Sequence, residues 1–231
     1  MNDQGGRHTK TWLARMGRAA GCAVLLLLAG CMEVPQPPLA VGTNMRVGAD
    51  PLVLASERGL VDPGRVKVVE LASGSEVQRA LNNGLLDAAA LTLDETLRLV
   101  DAGVDLRIVA LLNASQGADV VVARRDIESP RDLRGEMVAV EDTSVGAFML
   151  QRMLGKTGLT RAEVRVVNLE ANAHLDALRD GRVAAAVSHA PLSGALIAAG
   201  YRPIFSSRAI PGEVVDVMVV RASVLRARPE A

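Results

Sequence analysis

The sequence predicts an α/β protein of two similar lobes, joined by a hinge around a central cleft. Three observations predict it. From Met45 onward, short β-branched runs alternate with alanine- and leucine-rich stretches of helical character, the rhythm of α/β architecture. That rhythm occurs twice: MRVGAD at 45–50 is echoed by MVAVED at 137–142, VKVVEL at 66–71 by VRVVNL at 164–169, and ALNNGLLDAAAL at 80–91 by ALRDGRVAAAVS at 177–188, at offsets of 92, 98 and 97 residues. Finally, two apolar runs, GADVVVARR at 117–125 and GEVVDVMVVR at 212–221, are placed to carry the chain from the first lobe to the second and back. Two crossings imply a hinge, and a hinge implies a cleft.

Taken in order, the chain opens on a prefix. Arg7, Lys10, Arg15 and Arg18 stand against a single acid, Asp3, and precede an apolar run from Ala19 to Gly30. That run is too short for the roughly 20 residues of a membrane span and reads as the core of a secretory signal peptide over residues 1–30. Leu28-Ala29-Gly30-Cys31 resembles the lipobox of bacterial lipoproteins, which implies cleavage before Cys31 and lipid on that cysteine. The other cysteine, Cys22, lies in the removed segment, so no internal disulfide can form. Residues 31–43, with Pro35, Pro37 and Pro38, then read as a stiff extended tether. Removal of the prefix leaves 22 basic against 25 acidic residues, a formal charge of −3 with no basic block, which excludes nucleic acid as a partner. Tyr201, Phe148 and Phe205 are the remaining aromatics, too few for an aromatic cage around a quaternary amine.

Each half then reads strand, helix, strand, helix, glycine stop, strand. Gly84 and Gly181 fall where a helix needs a left-handed terminating residue, and the alanine-rich strands after them read as buried on both faces. Between the halves Ser129 caps a short helix with Pro130 first, Asp132 in the first turn and Gly135 at its end. The lobes are expected at 44–118 plus 208–231 and at 119–207.

Ligands in open α/β sheets sit beyond the carboxyl ends of the strands. Those ends are Asp50-Pro51, Ser73-Gly74-Ser75, Thr92, Asp142-Thr143-Ser144, Asn172 and His189. Most are hydroxyl or amide residues opening a helix, where free N–H groups and the helix dipole favour an anionic or strongly polar group. Each is equally an ordinary N-cap, so the functional case rests on their convergence from two lobes. Asp50 and Asp142 occupy matching places in the repeat and could hold an amine or hydroxyls; His189 could donate to an anion or serve structure; His174, inside a helix, is expected in solvent. No nucleophile elbow, metalloprotease, redox-cysteine or dinucleotide motif is present, and GKT at 155–157 lacks the phosphate-loop glycine because position 150 is Leu. No catalytic residue, metal or cofactor is expected, and an enzyme is the minority reading.

PLVLASERGL at 51–60, NNGLLDAAALTLDETLRLVDAG at 82–103, SQGADVVVARRDIESPRDLRGEMVAVED at 115–142 and GRVAAAVSHAP at 181–191 resemble, in order, the bacterial periplasmic solute-binding proteins of the nitrate/sulfonate/taurine and thiamine-precursor group. The resemblance implies a type II periplasmic-binding-protein fold. It further implies capture of a small polar or anionic organic molecule for an ABC permease and its ATPase, by a monomer lipid-anchored outside the cytoplasm. It places ligand contacts at Asp50, Pro51, Ser73 to Ser75, Thr92, Ser115, Gln116, Gly117, Thr143, Ser144 and Val145. The same fold also serves ligand sensors that dock on a membrane kinase or cyclase. His189-Ala190-Pro191 stands where relatives often carry an aromatic and a glutamate, and Asp50 runs straight into Pro51 where they often carry an insertion. Relatives also continue beyond RARPEA through helices that complete the first lobe, so the resemblance implies a C-terminally truncated lobe.

Overall fold

The computed structural model describes residues 36–44 and 46–230; the expected signal peptide and Cys31 lie outside the described residues. Pro38–Ala231 forms one compact unit. The first sheet contains β1 (Leu39–Asn44), β2 (Val66–Leu71), β3 (Ala88–Thr92), β4 (Leu106–Ala114) and β10 (Val215–Arg221), in the order β2-β1-β3-β10-β4. The second contains β5 (Asp119–Ala123), β6 (Met137–Val140), β7 (Arg165–Asn168), β8 (Ala185–His189) and β9 (Arg202–Ser206), in the order β7-β6-β8-β5-β9. Helices α1 (Asp50–Glu57), α2 (Gly74–Asn82) and α3 (Leu93–Asp101) belong to the first lobe, with α7 (Ala222–Ala227) after β10. In the second lobe lie α4 (Val145–Thr157), α5 (His174–Arg179) and α6 (Leu192–Ala198).

The two sheets have one plan. In each, three strands run parallel, and the fourth, β10 or β5, lies antiparallel between the third and the last. These antiparallel strands are the two crossing runs, so each sheet is closed by chain arriving from the other lobe. Val41 pairs with Ala88 and Val138 with Ala185, so the strand pair repeats at an offset of 97. The counterpart of β6 in the repeat is therefore Leu39–Asn44, and the match of MRVGAD to MVAVED is corrected. Pro51 lies in the first turn of α1, so Asp50 begins a helix and the preceding residues are spent on a turn. The tether expected to run to residue 43 gives way to a strand at Leu39, whose register against Val66 to Leu71 is continuous.

Gly84 and Gly181 take positive φ (73° and 67°) after α2 and α5, as a left-handed helix stop requires. Residues Pro130–Leu133 form a 3₁₀ turn in which Asp132 accepts from the Ser129 N–H at 2.8 Å. Cores follow the layers. In the second lobe one apolar cluster packs Val145, Met149 and Met153 of α4 on one face of the sheet, and another packs Ala177, Leu178 and Leu196 on the other. The first lobe has one such cluster, built on Val77, Leu81, Ala89, Leu91, Val217 and Val219, while Ile108, Val109 and Leu111 of the edge strand β4 stay exposed.

His174 corrects the sequence reading. It is fully buried at the start of α5, its Nε2 donating to the Leu169 carbonyl at 3.1 Å. Burial pushes its pKa down from 6.5 to about 4. The folded pKa lies below the unfolded one, so the stability this neutral imidazole contributes is complete above 6.5 and is lost as pH falls toward 4. Chemical denaturation across that interval is expected to show a loss approaching ~3 kcal/mol from this group. His174→Gln, which keeps a donor for Leu169 but does not titrate, is expected to remove that part of the dependence; an unchanged pH profile in the variant rules the assignment out.

Candidate functional site

The helices that begin beyond β2, β3 and β6 bring their N-termini to the junction between the two lobes. Ser73 caps α2, accepting from the Glu76 N–H at 3.2 Å. Thr92 caps α3 through a capping box: its hydroxyl accepts from the Glu95 N–H at 3.4 Å, and Glu95 Oε2 accepts from the Thr92 N–H at 2.9 Å. The second oxygen of Glu95 leaves its own helix and crosses to the other lobe. Oε1 accepts from the Ser144 hydroxyl and from the Val145 N–H (3.3 Å), the first amide of α4.

A carboxylate crosses in the opposite direction as well. Glu141, at the end of β6, accepts through Oε1 from the N–H and the hydroxyl of Ser75 (2.8 and 2.7 Å), at the start of α2. The Ser75 and Thr143 hydroxyls lie 2.5 Å apart, and Gln78 donates to the Thr143 carbonyl at 2.7 Å. Each lobe thus supplies a carboxylate to a helix N-terminus of the other. Gly74 makes the approach possible: a Cβ there would stand 2.7 Å from Ser144 Oγ and 2.8 Å from Glu95 Oε1.

Deeper in the seam, Arg46 from the turn after β1 reaches Asp216 of β10 (3.3 Å) and Asp119 of β5 (3.2 Å), one on each sheet. Burial opposes its charge, but attraction to Asp119, Asp216 and Glu95 exceeds that cost and moves its pKa upward. The acids around it are less comfortable. Burial first, and then repulsion from Glu95 among others, raises Asp94 to about 6 and also raises Glu141 and Asp216. His189 is buried with Nδ1 donating to the Ala190 carbonyl at 3.0 Å; burial and then the nearby Arg46 charge push its pKa down, which keeps it neutral. Several buried polar atoms have no protein partner: Arg46 Nε and Nη1, Asp119 Oδ2 and Ser188 Oγ.

The hinge accounts for three further candidates. Ser115 Oγ lies 2.8 Å from Ser207 Oγ, Gly117 donates its N–H to that same hydroxyl at 2.6 Å, and the Gln116 carbonyl accepts from Arg208 at 3.1 Å. These bonds tie the two crossing segments to each other, with the Gln116 side chain in solvent.

Of the sequence candidates, the fold therefore brings Ser73, Gly74, Ser75, Thr92, Thr143, Ser144, Val145 and His189 to the seam, and Ser115, Gln116 and Gly117 to the hinge. Asp50, Pro51 and Asp142 are exposed, Asp142 donating its backbone N–H to Asn168 Oδ1 (3.1 Å). The groups that sequence reasoning missed are Arg46, Glu95, Asp119, Glu141 and Asp216. Aspartates at Asp119 and Asp216, bounding or interrupting valine runs, were the available signal, because a carboxylate in a buried strand needs a partner. A cavity of about 450 Å³ lies elsewhere, against α4 beside Asp142, Ala147, Leu150 and Leu154, and holds none of these buried charged groups.

The sequence profile of the NMT1-like family matches residues 32–231. The chain belongs to that family. A Brucella abortus binding protein is 27% identical over 181 residues (69% of this chain, 53% of the relative), and the taurine-binding periplasmic protein of Escherichia coli K12 is 26% identical over 161 residues (68% and 50%). The chain thus spans about half the length of the curated relatives it matches. The alkanesulfonate-binding protein SsuA from Xanthomonas axonopodis, bound to MOPS, superposes with a TM-score of 0.76 at 23% identity, over 84% of this chain and 69% of that one. The nitrate-binding protein NrtA from Synechocystis superposes with a TM-score of 0.69 at 14% identity, over 84% and 58%. The fold is that of these periplasmic binding proteins, the type II architecture expected from the sequence.

Gly74→Ala tests the seam. It is expected to part the Glu95–Ser144 contact, enlarge the radius of gyration in small-angle scattering and cost about 1–3 kcal/mol. Gly155→Ala, at a helical position with open space around it, is expected to be neutral or slightly stabilising. Equal effects from the two substitutions would show that α2 and α4 are not held in close contact.

Proposed function

We propose that this protein is an extracytoplasmic solute receptor, anchored through lipid on Cys31, whose two lobes close on a small polar molecule and present it to an ABC permease. The observation that carries the reading is the seam: loops after the strands of both sheets converge beside the hinge, and buried polar atoms of Arg46, Asp119 and Ser188 point there without protein partners. Buried polar atoms of native proteins are almost always paired, so a set of orphans at one place asks for a ligand or water. Family membership and the relatives named for binding taurine, alkanesulfonates and nitrate support a transport role. In this reading Ser75, Thr143, Ser144, Val145 and His189 line the site, joined by Arg46, Glu95, Asp119 and Glu141. Ser73 and Thr92 hold the helices that present them. Neither a nucleophile nor a cofactor enters the proposal; the chemistry is capture and release.

A ligand that binds only the folded, closed form at a hundredfold excess over Kd is expected to stabilise it by about 2.7 kcal/mol. For a chain of this size that is roughly 5–10 °C in melting temperature. A thermal-shift series with organic amines, sulfonates, nitrate and amino acids measures it, and a cooperative melt that no solute moves would count against the receptor. The anchor has its own test. Cys31→Ser is expected to move the protein from the membrane to the soluble fraction of its native cell, and unchanged membrane association excludes lipid at that residue.

A further inference from the structure

The three helix N-termini at the seam are already occupied. Glu95 fills the starts of α3 and α4, and Glu141 the start of α2. Asp94, Asp119 and Asp216 add further carboxylates, which outnumber the guanidinium groups of Arg46 and of Arg98, the latter 3.8 Å from Asp94 and donating to the Asp142 carbonyl, while His189 is neutral. An incoming anion would have to displace bonded carboxylates and then lie beside several more.

The unpartnered atoms on the second-lobe side of the seam include a carboxylate oxygen and a hydroxyl. Asp119 (1% exposed) leaves Oδ2 free, and the Ser188 hydroxyl (3% exposed), which can accept or donate, has no partner. Both line one small cavity together with His189 and Glu141. Because His189 Nδ1 donates to a carbonyl, the neutral ring carries a lone pair on Nε2. An anionic oxygen, an imidazole lone pair and a hydroxyl able to accept face a space with net negative surroundings, which a positively charged donor suits best. In a receptor for solutes that donor is an ammonium group. On the first-lobe side the unpartnered Nε and Nη1 of Arg46 call for an acceptor on the same molecule.

We propose that the seam binds a small organic cation, a protonated amine carrying a hydrogen-bond acceptor, and that Glu95 and Glu141 exclude anions from it. This rests on the receptor reading above and narrows it, turning the ligand class away from the sulfonates and nitrate for which relatives are named. With few aromatics in the chain, the cation is recognised through its N–H bonds and not through ring faces. Its ammonium donates to Asp119 Oδ2 and Ser188 Oγ, and its oxygen accepts from Arg46.

The test titrates the full chain in mild detergent at pH 7.5 with ethanolamine and with ethanesulfonate, against sodium chloride of equal ionic strength, read by calorimetry and melting temperature. Ethanolamine is expected to bind and raise the melting temperature, and ethanesulfonate to do neither. Asp119→Asn is expected to weaken ethanolamine tenfold or more. Since that change also touches Arg46, Ser188→Ala is the second variant: it deletes an oxygen with no protein partner, so the unliganded melt is expected to hold while ethanolamine weakens several-fold. Binding of ethanesulfonate with ethanolamine silent overturns the cation assignment and leaves the receptor standing. Silence from both overturns both readings. Ethanolamine binding that Ser188→Ala and Asp119→Asn leave unchanged places the cation elsewhere and overturns the site.

Discussion

One carboxylate organises the junction between the lobes. Glu95 closes the first turn of its own helix with Oε2 and the first turn of α4, in the other lobe, with Oε1. A helix start leaves N–H groups without intrahelical partners, and burial makes each of them costly unless something accepts from it. Here one side chain, 1% exposed, satisfies two starts at once. The geometry that achieves this fixes much else. It demands a glycine at Gly74, brings Ser75 within reach of Glu141, and sets the two lobes at the separation where Arg46 can span Asp216 and Asp119.

Arg46 shows the other side of that constraint. A buried guanidinium costs several kcal/mol of lost hydration, which two flanking carboxylates offset only when the remaining donors are also satisfied. Two of its donors are not, nor is one oxygen of Asp119. The arrangement is therefore short of its optimum, and the shortfall lies where a solute would enter. Other buried polar atoms also lack partners, Glu170 Oε2 and His174 Nδ1 among them, but those of Arg46, Asp119 and Ser188 meet at the junction.

The architecture was legible because it depends on local patterns that survive in one dimension. Alternating apolar periods, glycine stops at Gly84 and Gly181, and an approximately 97-residue echo all report on a single lobe. The sequence displaces the first strand because the valine-bearing phrase beginning at Met45 echoes MVAVED more closely than Leu39–Asn44 does; pairing with Ala88 settles the register. In the site, the hydroxyl caps Ser73 and Thr92 are legible, because Ser and Thr opening a helix are its ordinary N-caps. What cannot be read is that Glu95 completes a capping box with one oxygen and has a second to give, or that Glu141 and Arg46 face across a junction. Those roles exist only once two lobes meet, and nothing in the spacing of either lobe encodes the distance between them. His174 failed for a related reason. A histidine at the start of a short amphipathic stretch looks solvated until the 3₁₀ turn before it rotates the ring inward toward Leu169.

A polar junction also suits a molecule that must open. Had the facing surfaces been apolar, closure would be favoured by about 25 cal/mol for each Å² buried, whether or not a solute was present. Hydrogen bonds exchanged with water contribute only ~0.5–1.5 kcal/mol each, so a seam built from them can part at modest cost. A solute shifts such an equilibrium only by its differential affinity for the closed form. In the receptor reading, the unpartnered atoms of Arg46, Asp119 and Ser188 would supply that difference, solvated when the lobes separate and paired when closure traps a molecule against them. The carboxylates that clasp opposite helices would then hold the closed lobes in register and select the solute by its charge.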